Sequence, residues 1–317
     1  MKIKIYKPHF DVTYNNSDNS SPIFINPEIS SLAKILAKKH EVILVSPSDF
    51  KNNTNPRAGM LTEKSDINIL CEGRLYLKGD DSDERVNREL KEIKEMCNTG
   101  KNFRFITDYK IFKKNGDVLK DIDFTNITQS PNVGIYGELE KIFLYGENYV
   151  ENHKKTNDII YCGNSRGNAR DEKICEYLIN SGVDYSLFGN WDPQRFPKTK
   201  GKIPFKDCRN EIAKHKYSLV ISEKLYEDIN WFTPRLMESI LANSIAFIDK
   251  DYPRNLSDFP CTDFQVVSSG RELKDKITFL ESCPSFYSQL LKKQQEILNS
   301  GWFDGSYQLK ILEKILA

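Results

Sequence analysis

Residues Ile160 to Lys173 read IYCGNSRGNARDEK. An apolar strand end runs through Cys162 into a loop of small residues, and two arginines four apart stand where a charged helix begins. Gly163 lets the backbone turn closely. Helix-start N–H groups, the helix dipole and the guanidinium forks of Arg166 and Arg170 together make a site for a doubly charged diphosphate. The alternative is that both arginines pair with Asp171, Glu172 and other surface acids, as most surface arginines do.

Working outward, the strand–loop–helix pattern repeats. DIIYCG (158–163) is followed by the helix ARDEKICEYLINSG, the strand YSLFG (185–189), the helix RNEIAKHK, the strand YSLVIS, the helix TPRLMESILANS and the strand IAFIDKD. Strands alternating with helices predict a parallel sheet. The same alternation occupies the first half: KIKIY (2–6), the helix PEISSLAKILAKKH, EVILVS (41–46), INIL (67–70), the helix DERVNRELKEIKEMCNTG closed by Gly100, and FRFITD (103–108). The polar run ENHKKTN (151–157) separates the two. The expected division is an N-terminal acceptor domain over 1–155, a nucleotide domain over 156–300, and a C-terminal helix over 301–317 that packs back on the first domain.

Composition agrees with two α/β domains. A chain of 317 residues is too long for one ordinary core. Hydrophobic residues at 39%, with 18 Phe and 15 Tyr, supply real cores. Lys plus Arg total 46 against 45 Asp plus Glu, so a polyanion would need a local basic surface. Seven scattered cysteines without a Cys-x-x-Cys spacing, and only four histidines, read as reduced thiols rather than disulfides or a zinc site. No segment approaches the roughly 18 apolar residues of a membrane span, and MKIKIYKPHF lacks a signal peptide's apolar run. An intracellular protein is expected.

In WFTPRLMESILANSIAFID, Thr233 can cap a helix and Pro234 suits its first turn, which places Arg235 and Glu238 on one face. A carboxylate there can accept both hydroxyls of a ribose while Arg235 reaches phosphate. The alternative is a local Arg235–Glu238 ion pair. In SLFGN (186–190), Phe188 and Gly189 form a strand terminus against which a flat base can rest, and in GKIP (201–204) the Ile203 backbone can read a pyrimidine edge. Core packing is the alternative for Phe188.

In order and spacing, IYCGNSRGNAR, FGN, GKIP and TPRLMESILANSIAFIDKD resemble the nucleotide-binding half of the T-even phage DNA β-glucosyltransferase family, and PEISSLAKILA and FITD are similar to its N-terminal half. The resemblance implies a glycosyltransferase B fold, α/β with two Rossmann-like domains facing a central cleft. It implies inverting transfer of glucose from UDP-glucose to 5-hydroxymethylcytosine in duplex DNA, with the target base flipped into the cleft. It places Arg166, Arg170 and Arg235 at the phosphates, Gly163 and Asn164 beside them, Glu238 at the ribose, and Phe188, Gly189 and Ile203 at the uracil. Asp108 falls on the catalytic base and Glu28 on an acidic residue facing sugar and acceptor. Cys162-Gly163-Asn164 stands where the family has Gly-Gly-Ser. The bulkier Asn164 leaves a pentose such as arabinose beside glucose as the transferred sugar.

Attack by a primary alcohol on an anomeric carbon needs a carboxylate to take the proton and cations to stabilise the departing diphosphate. Asp108, ending a strand, is placed for the first role; a loop acid or helix cap is the alternative. Around it, KNFRFITDYKIFKKNGDVLK (101–120) offers Lys110, Lys113 and Lys114, with Lys101, Arg104 and Lys120, as a DNA-facing surface. An ordinary solvated lysine loop is the bland counterpart. Asp121-Ile122-Asp123 reads as an acidic turn and not an Asp-x-Asp metal motif, so a Mg or Mn ion assisting diphosphate release would have no recognisable protein ligands. The expected partners are UDP-sugar and double-stranded DNA containing 5-hydroxymethylcytosine, with no membrane, for a monomer working in the bacterial host cytoplasm. Two rivals stand: the same fold acting on a glycan, lipid or small molecule, and a non-catalytic DNA-binding protein on the same scaffold.

Overall fold

The computed structural model describes residues 1–6, 35–45, 61–71, 84–105, 119–127, 153–167, 169–204, 207–224, 227, 233–254, 261–299 and 306–317. The chain divides into two compact units, Met1–Pro131 with Gly305–Ala317, and Asn132–Asp304.

The first unit holds a fully parallel five-stranded sheet of β1 (Lys2–Tyr6), β2 (Glu41–Val45), β3 (Ile67–Cys71), β4 (Lys101–Phe105) and β5 (Thr125–Ile127). Their order is β2-β1-β3-β4-β5. Helix α1 (Glu84–Cys97) connects β3 to β4 and presents Ile93 and Met96 to a core with Tyr6, Val45, Leu61, Leu70 and Leu119. Gly100, expected to close this helix, lies three residues past its last residue and has no positive φ. A Cβ there would lie 2.5 Å from the Ser65 carbonyl, so the glycine serves close approach of two chain segments at the foot of β3 and β4. Of the helix expected before β2, residues 35–40 are described and 35–37 are helical, with Ile35 and Leu36 buried. β5 escaped the sequence reading because a three-residue edge strand carries no periodicity.

In the second unit, β6 (Thr156–Cys162), β7 (Tyr185–Phe188), β8 (His215–Val220), β9 (Ile245–Asp249) and the two-residue β10 (Val266–Val267) form a second parallel sheet, ordered β10-β9-β8-β6-β7. In chain order this is the same arrangement as in the first sheet. β7 and β9 are buried along their whole length, as parallel strands covered on both faces must be. One face carries Ile159, Tyr161, Leu187, Tyr217, Leu219 and Phe247; the other carries Ile160, Cys162 and Phe188 against Cys208, Ile212 and Ala242. The crossovers are α2 (Ala169–Ile174), continued by π-helical turns over Cys175–Asn180, then α3 (Cys208–Ala213) and α4 (Pro234–Leu241). α5 (Gly270–Ser282) and α6 (Pro284–Gln295) follow, and α7 (Ser306–Leu316) belongs to the first unit, where Glu313 meets Lys39 at 3.1 Å. No helix among the described residues is long and apolar enough to cross a membrane.

β10 reaches β9 only at Ile248 and Asp249, which leaves the β9 backbone at Ala246 without a strand partner on that side. Two fully buried glutamines replace it. The Gln294 carbonyl accepts from Ala246 N–H (2.9 Å) and from the Gln265 amide (2.8 Å), while the Gln265 amide also donates to the Ala246 carbonyl (3.1 Å) and that of Gln294 to Ser244 (2.9 Å). Gln294→Leu keeps the volume and strands these groups, each worth about 1–3 kcal/mol when left unsatisfied. We expect a loss of about 3 kcal/mol in urea unfolding; a loss below about 1 kcal/mol would show that α6 is not tied to the sheet through this amide.

Candidate functional site

At the C-terminal edge of the second sheet, three segments far apart in sequence close on one another. Gly163 N–H donates to the Phe188 carbonyl (2.9 Å), Gly189 N–H to the Gly201 carbonyl (2.8 Å), and Lys200 N–H to the Leu187 carbonyl (2.8 Å). The Trp191 indole donates to the Gly163 carbonyl (2.7 Å), and Asn190 N–H donates to Asn164 Oδ1 (3.0 Å). Gly189 has φ 139°, and a Cβ there would stand 2.0 Å from the Gly163 carbonyl oxygen. Only glycine fits. The expected base-pocket residues thus sit beside the expected phosphate loop. Phe188 itself is buried among Ile160, Cys162, Cys208 and Ile212, with Lys200 Nζ 5.5 Å from its ring centroid. Its ring is thus packed in the core at the strand terminus. Ile203 packs against the same cluster.

The arginine loop is organised by Asp171. This buried carboxylate accepts from the Ser165 hydroxyl, Arg166 N–H (3.1 Å) and Gly167 N–H (2.8 Å). Two N–H groups that a loop-bound anion would use are therefore taken by Asp171. Arg170 Nη2 donates to the Asn164 carbonyl, and its Nη1 lies 3.1 Å from Glu223 Oε1. Arg166 Nε lies 3.6 Å from the same Glu223 oxygen. The acid that meets both arginines is thus neither Asp171 nor Glu172 but a residue just past the end of β8, which sequence reasoning missed because nothing in SEK marks it.

Helix α4 brings the remaining pair. Thr233 occupies the N-cap position with Pro234 following, yet its side chain makes no capping bond; its N–H and hydroxyl instead meet the Tyr252 hydroxyl at 3.0 and 3.3 Å. Arg235 Nη1 and Glu238 Oε2 form an ion pair, and Glu238 is 2% exposed. Burial opposes the Arg235 charge, but Glu238 and the Cys162 and Cys208 sulfurs hold its pKa above the ordinary guanidinium value. Cys162 and Cys208 hydrogen-bond beneath the site, which drives the first thiol's pKa up and the second's down.

Asp108, Glu28, Lys110, Lys113 and Lys114 lie outside the described residues. Of the neighbouring cations, Arg104 is buried, with its guanidinium 5.2 Å from the Phe124 ring, so it is a core residue and not part of a DNA-facing surface. Asp121 and Asp123 are exposed on a turn whose Ile122 packs on the first core. The one group of carboxylates among the described residues with metal-ligand spacing is Glu227, Asp249 and Asp251. Lys173 Nζ already fills it, at 3.0, 2.6 and 3.1 Å, and those carboxylates keep its ammonium charged against the cost of burial. This group does not fit a metal ion.

No family model matches the chain. It is 30% identical over 156 residues to the DNA beta-glucosyltransferase of Enterobacteria phage T4, a stretch covering 46% of this chain and 44% of that protein, so the match spans under half of the relative's length. Solved structures of the beta-glucosyltransferase agree over the whole chain: one, studied with and without uridine diphosphoglucose, covers 100% of this chain and 99% of its own at TM-score 0.70 and 19% identity. A second T4 phage structure, bound to UDP and Mn2+, matches with the same coverage at TM-score 0.62 and 19% identity. The glycosyltransferase B fold read from the motifs is the fold found, and the likeness to the T-even phage enzymes is found by sequence and by structure.

Asp171→Ala should cost about 1–3 kcal/mol at neutral pH, since it strands two N–H groups and a hydroxyl. Burial raises the Asp171 pKa, but Ser165 and the two N–H groups outweigh it and hold the value below the ordinary aspartate range. The unfolded chain therefore binds the proton first, and the stabilisation is complete above the ordinary value and disappears as pH falls through the lowered one. Thermal melting of both proteins across that acid range should show the curves converge; a constant gap would exclude Asp171 as the organiser.

Proposed function

We propose that this chain belongs to the DNA β-glucosyltransferase family and is an inverting, UDP-sugar-dependent glycosyltransferase that modifies 5-hydroxymethylcytosine in duplex DNA. The observation that carries the reading is the convergence of Arg166, Arg170, Arg235 and Glu238 on the C-terminal edge of a parallel sheet, between the β6 and β8 strand ends, where α/β sheets bind nucleotides. The relative named for DNA glucosylation, and similar structures bound to UDP-glucose or UDP, support it.

In this reading the three guanidinium groups take the diphosphate and hold the charge that develops as the sugar bond breaks. Glu238 receives the ribose hydroxyls, and the pocket walled by Gly189, Ile203 and the loop at Asn164 receives the uracil and the first phosphate. Asp108 removes the proton from the hydroxymethyl group, with Glu28 facing sugar and acceptor. Lys110, Lys113 and Lys114 meet the DNA backbone, the target base is flipped to reach the sugar, and the protein works as a monomer where phage DNA is copied, in the host cytoplasm. A divalent ion bound to the diphosphate would lower the same charge without a protein ligand set. Asn164 shapes the choice between glucose and a pentose.

Duplexes with 5-hydroxymethylcytosine or plain cytosine, offered UDP-glucose and UDP-arabinose, should give a nucleoside of added sugar mass only from the modified base. Arg170→Ala should weaken UDP binding about tenfold or more, the loss of a charge-assisted contact. Asp108→Asn should lower turnover about 10²–10⁴-fold with UDP affinity retained. UDP release without sugar on DNA would move the acceptor to another class; no UDP binding by calorimetry would remove the enzyme reading.

A further inference from the structure

A carboxylate sits where the reading above seats a diphosphate. Glu223 Oε1 is shared by Arg170 Nη1 at 3.1 Å and Arg166 Nε at 3.6 Å. It reaches them from beyond the end of β8, across the place where strand order reverses, whereas both arginines come from the loop and helix after β6. The two arginines differ in freedom: the Arg170 side chain is 11% exposed and fixed also by the Asn164 carbonyl, while that of Arg166 is 58% exposed. Glu223 itself is 24% exposed, so it can leave toward water without unpacking the core. Two guanidinium groups this close repel, and an anion between them is needed to hold both in place.

We propose that Glu223 is an internal counter-anion that keeps Arg166 and Arg170 paired in the free protein and gives up its place to the diphosphate of the donor. The inference rests on the donor-site reading. A diphosphate seated on both arginines brings two or more negative charges within a few ångströms of this carboxylate, so Glu223 must turn outward and each binding event exchanges one anion for another. The exchange lowers net donor affinity, and it favours departure of the nucleotide product because the arginines are never left without a counter-charge. Glu223 is in this sense a positioning residue for the site and a competitor of the ligand it prepares for.

The test is calorimetry of wild type, Glu223→Gln and Glu223→Ala with UDP, inorganic pyrophosphate and uridine, with thermal melting to confirm folding. Both variants should bind UDP and pyrophosphate at least about tenfold tighter than wild type, because a like charge at this range is worth more than that. Uridine, which lacks phosphate, should bind all three alike. Equal or weaker UDP and pyrophosphate binding by the folded variants overturns the proposal, as does tighter binding of uridine. If the variants gain pyrophosphate while no protein prefers UDP to pyrophosphate, the counter-anion stands and the nucleotide reading of the site falls.

Discussion

The reversal of strand order beside β6 governs everything else in the second unit. β6 is flanked by β7 on one side and β8 on the other, so the chain leaves β6 toward one flank and leaves β8 toward the opposite one. Between the two departing segments, the groups lining the sheet edge are those the chain places just past Cys162 and Val220. That is why a loop carrying Arg166, a helix carrying Arg170 and a turn carrying Glu223 meet although 57 residues separate Arg166 from Glu223. The contact of Gly189 with the Gly163 carbonyl fixes the third wall by sterics, because no other residue type lets β7's exit lie so close to β6's.

Charge at this edge is arranged rather than accumulated. Three guanidinium groups are matched by Glu223 and Glu238, while Asp171 spends its hydrogen bonds on the Ser165 hydroxyl and two backbone N–H groups. Removing one member of a buried, hydrogen-bonded set leaves its partner uncompensated, which costs more than the pair itself contributes. That cost falls on the buried Arg235–Glu238 pair and not on Glu223, whose side chain is a quarter exposed. The positive character of this edge is local, in a chain whose formal net charge is only +1.

Much of this was legible before any coordinates. The alternation of apolar strands with helices placed eight of the ten described strands, β1 to β4 and β6 to β9, within a few residues, and the glycosyltransferase B fold implied by the resemblance of the motifs is the fold found. Three things were hidden. β10 and β5 are too short for a period, and where β10 does not reach, Gln265 and Gln294 pair with the Ala246 backbone. Glu223 carries no local signal, since its role is set by a strand neighbour distant in sequence. The roles of Asp171 and Thr233 were misjudged because side-chain hydrogen bonds of a single residue depend on tertiary neighbours, here Ser165 and Tyr252, that spacing cannot reveal.

The opposite edge of each sheet shows what the chemistry at this one leaves free. In the first unit, fully buried Lys4 extends its ammonium to the Leu61 and Glu63 carbonyls and the Thr99 hydroxyl, joining segments that precede β3 and β4. In the second, Lys155 donates to the Ala213, His215 and Ala242 carbonyls, closing the ends of α3 and α4. Beside it Asp158 binds His215 Nδ1 (2.8 Å) and the Ser186 hydroxyl (2.6 Å). Burial raises the Asp158 pKa, and these hydrogen bonds, with that of Thr156, more than reverse it. Each of these ions has its donors or acceptors met within the fold, so they act as fasteners at the N-terminal ends of the strands. Past the C-terminal end of β8, Arg166 and Arg170 are instead met by Glu223, whose quarter-exposed side chain can withdraw, while Arg235 keeps the buried Glu238. The exchangeable carboxylate thus lies apart from the buried ion sets that fasten the sheet, so Glu223 can give up its place without loosening them.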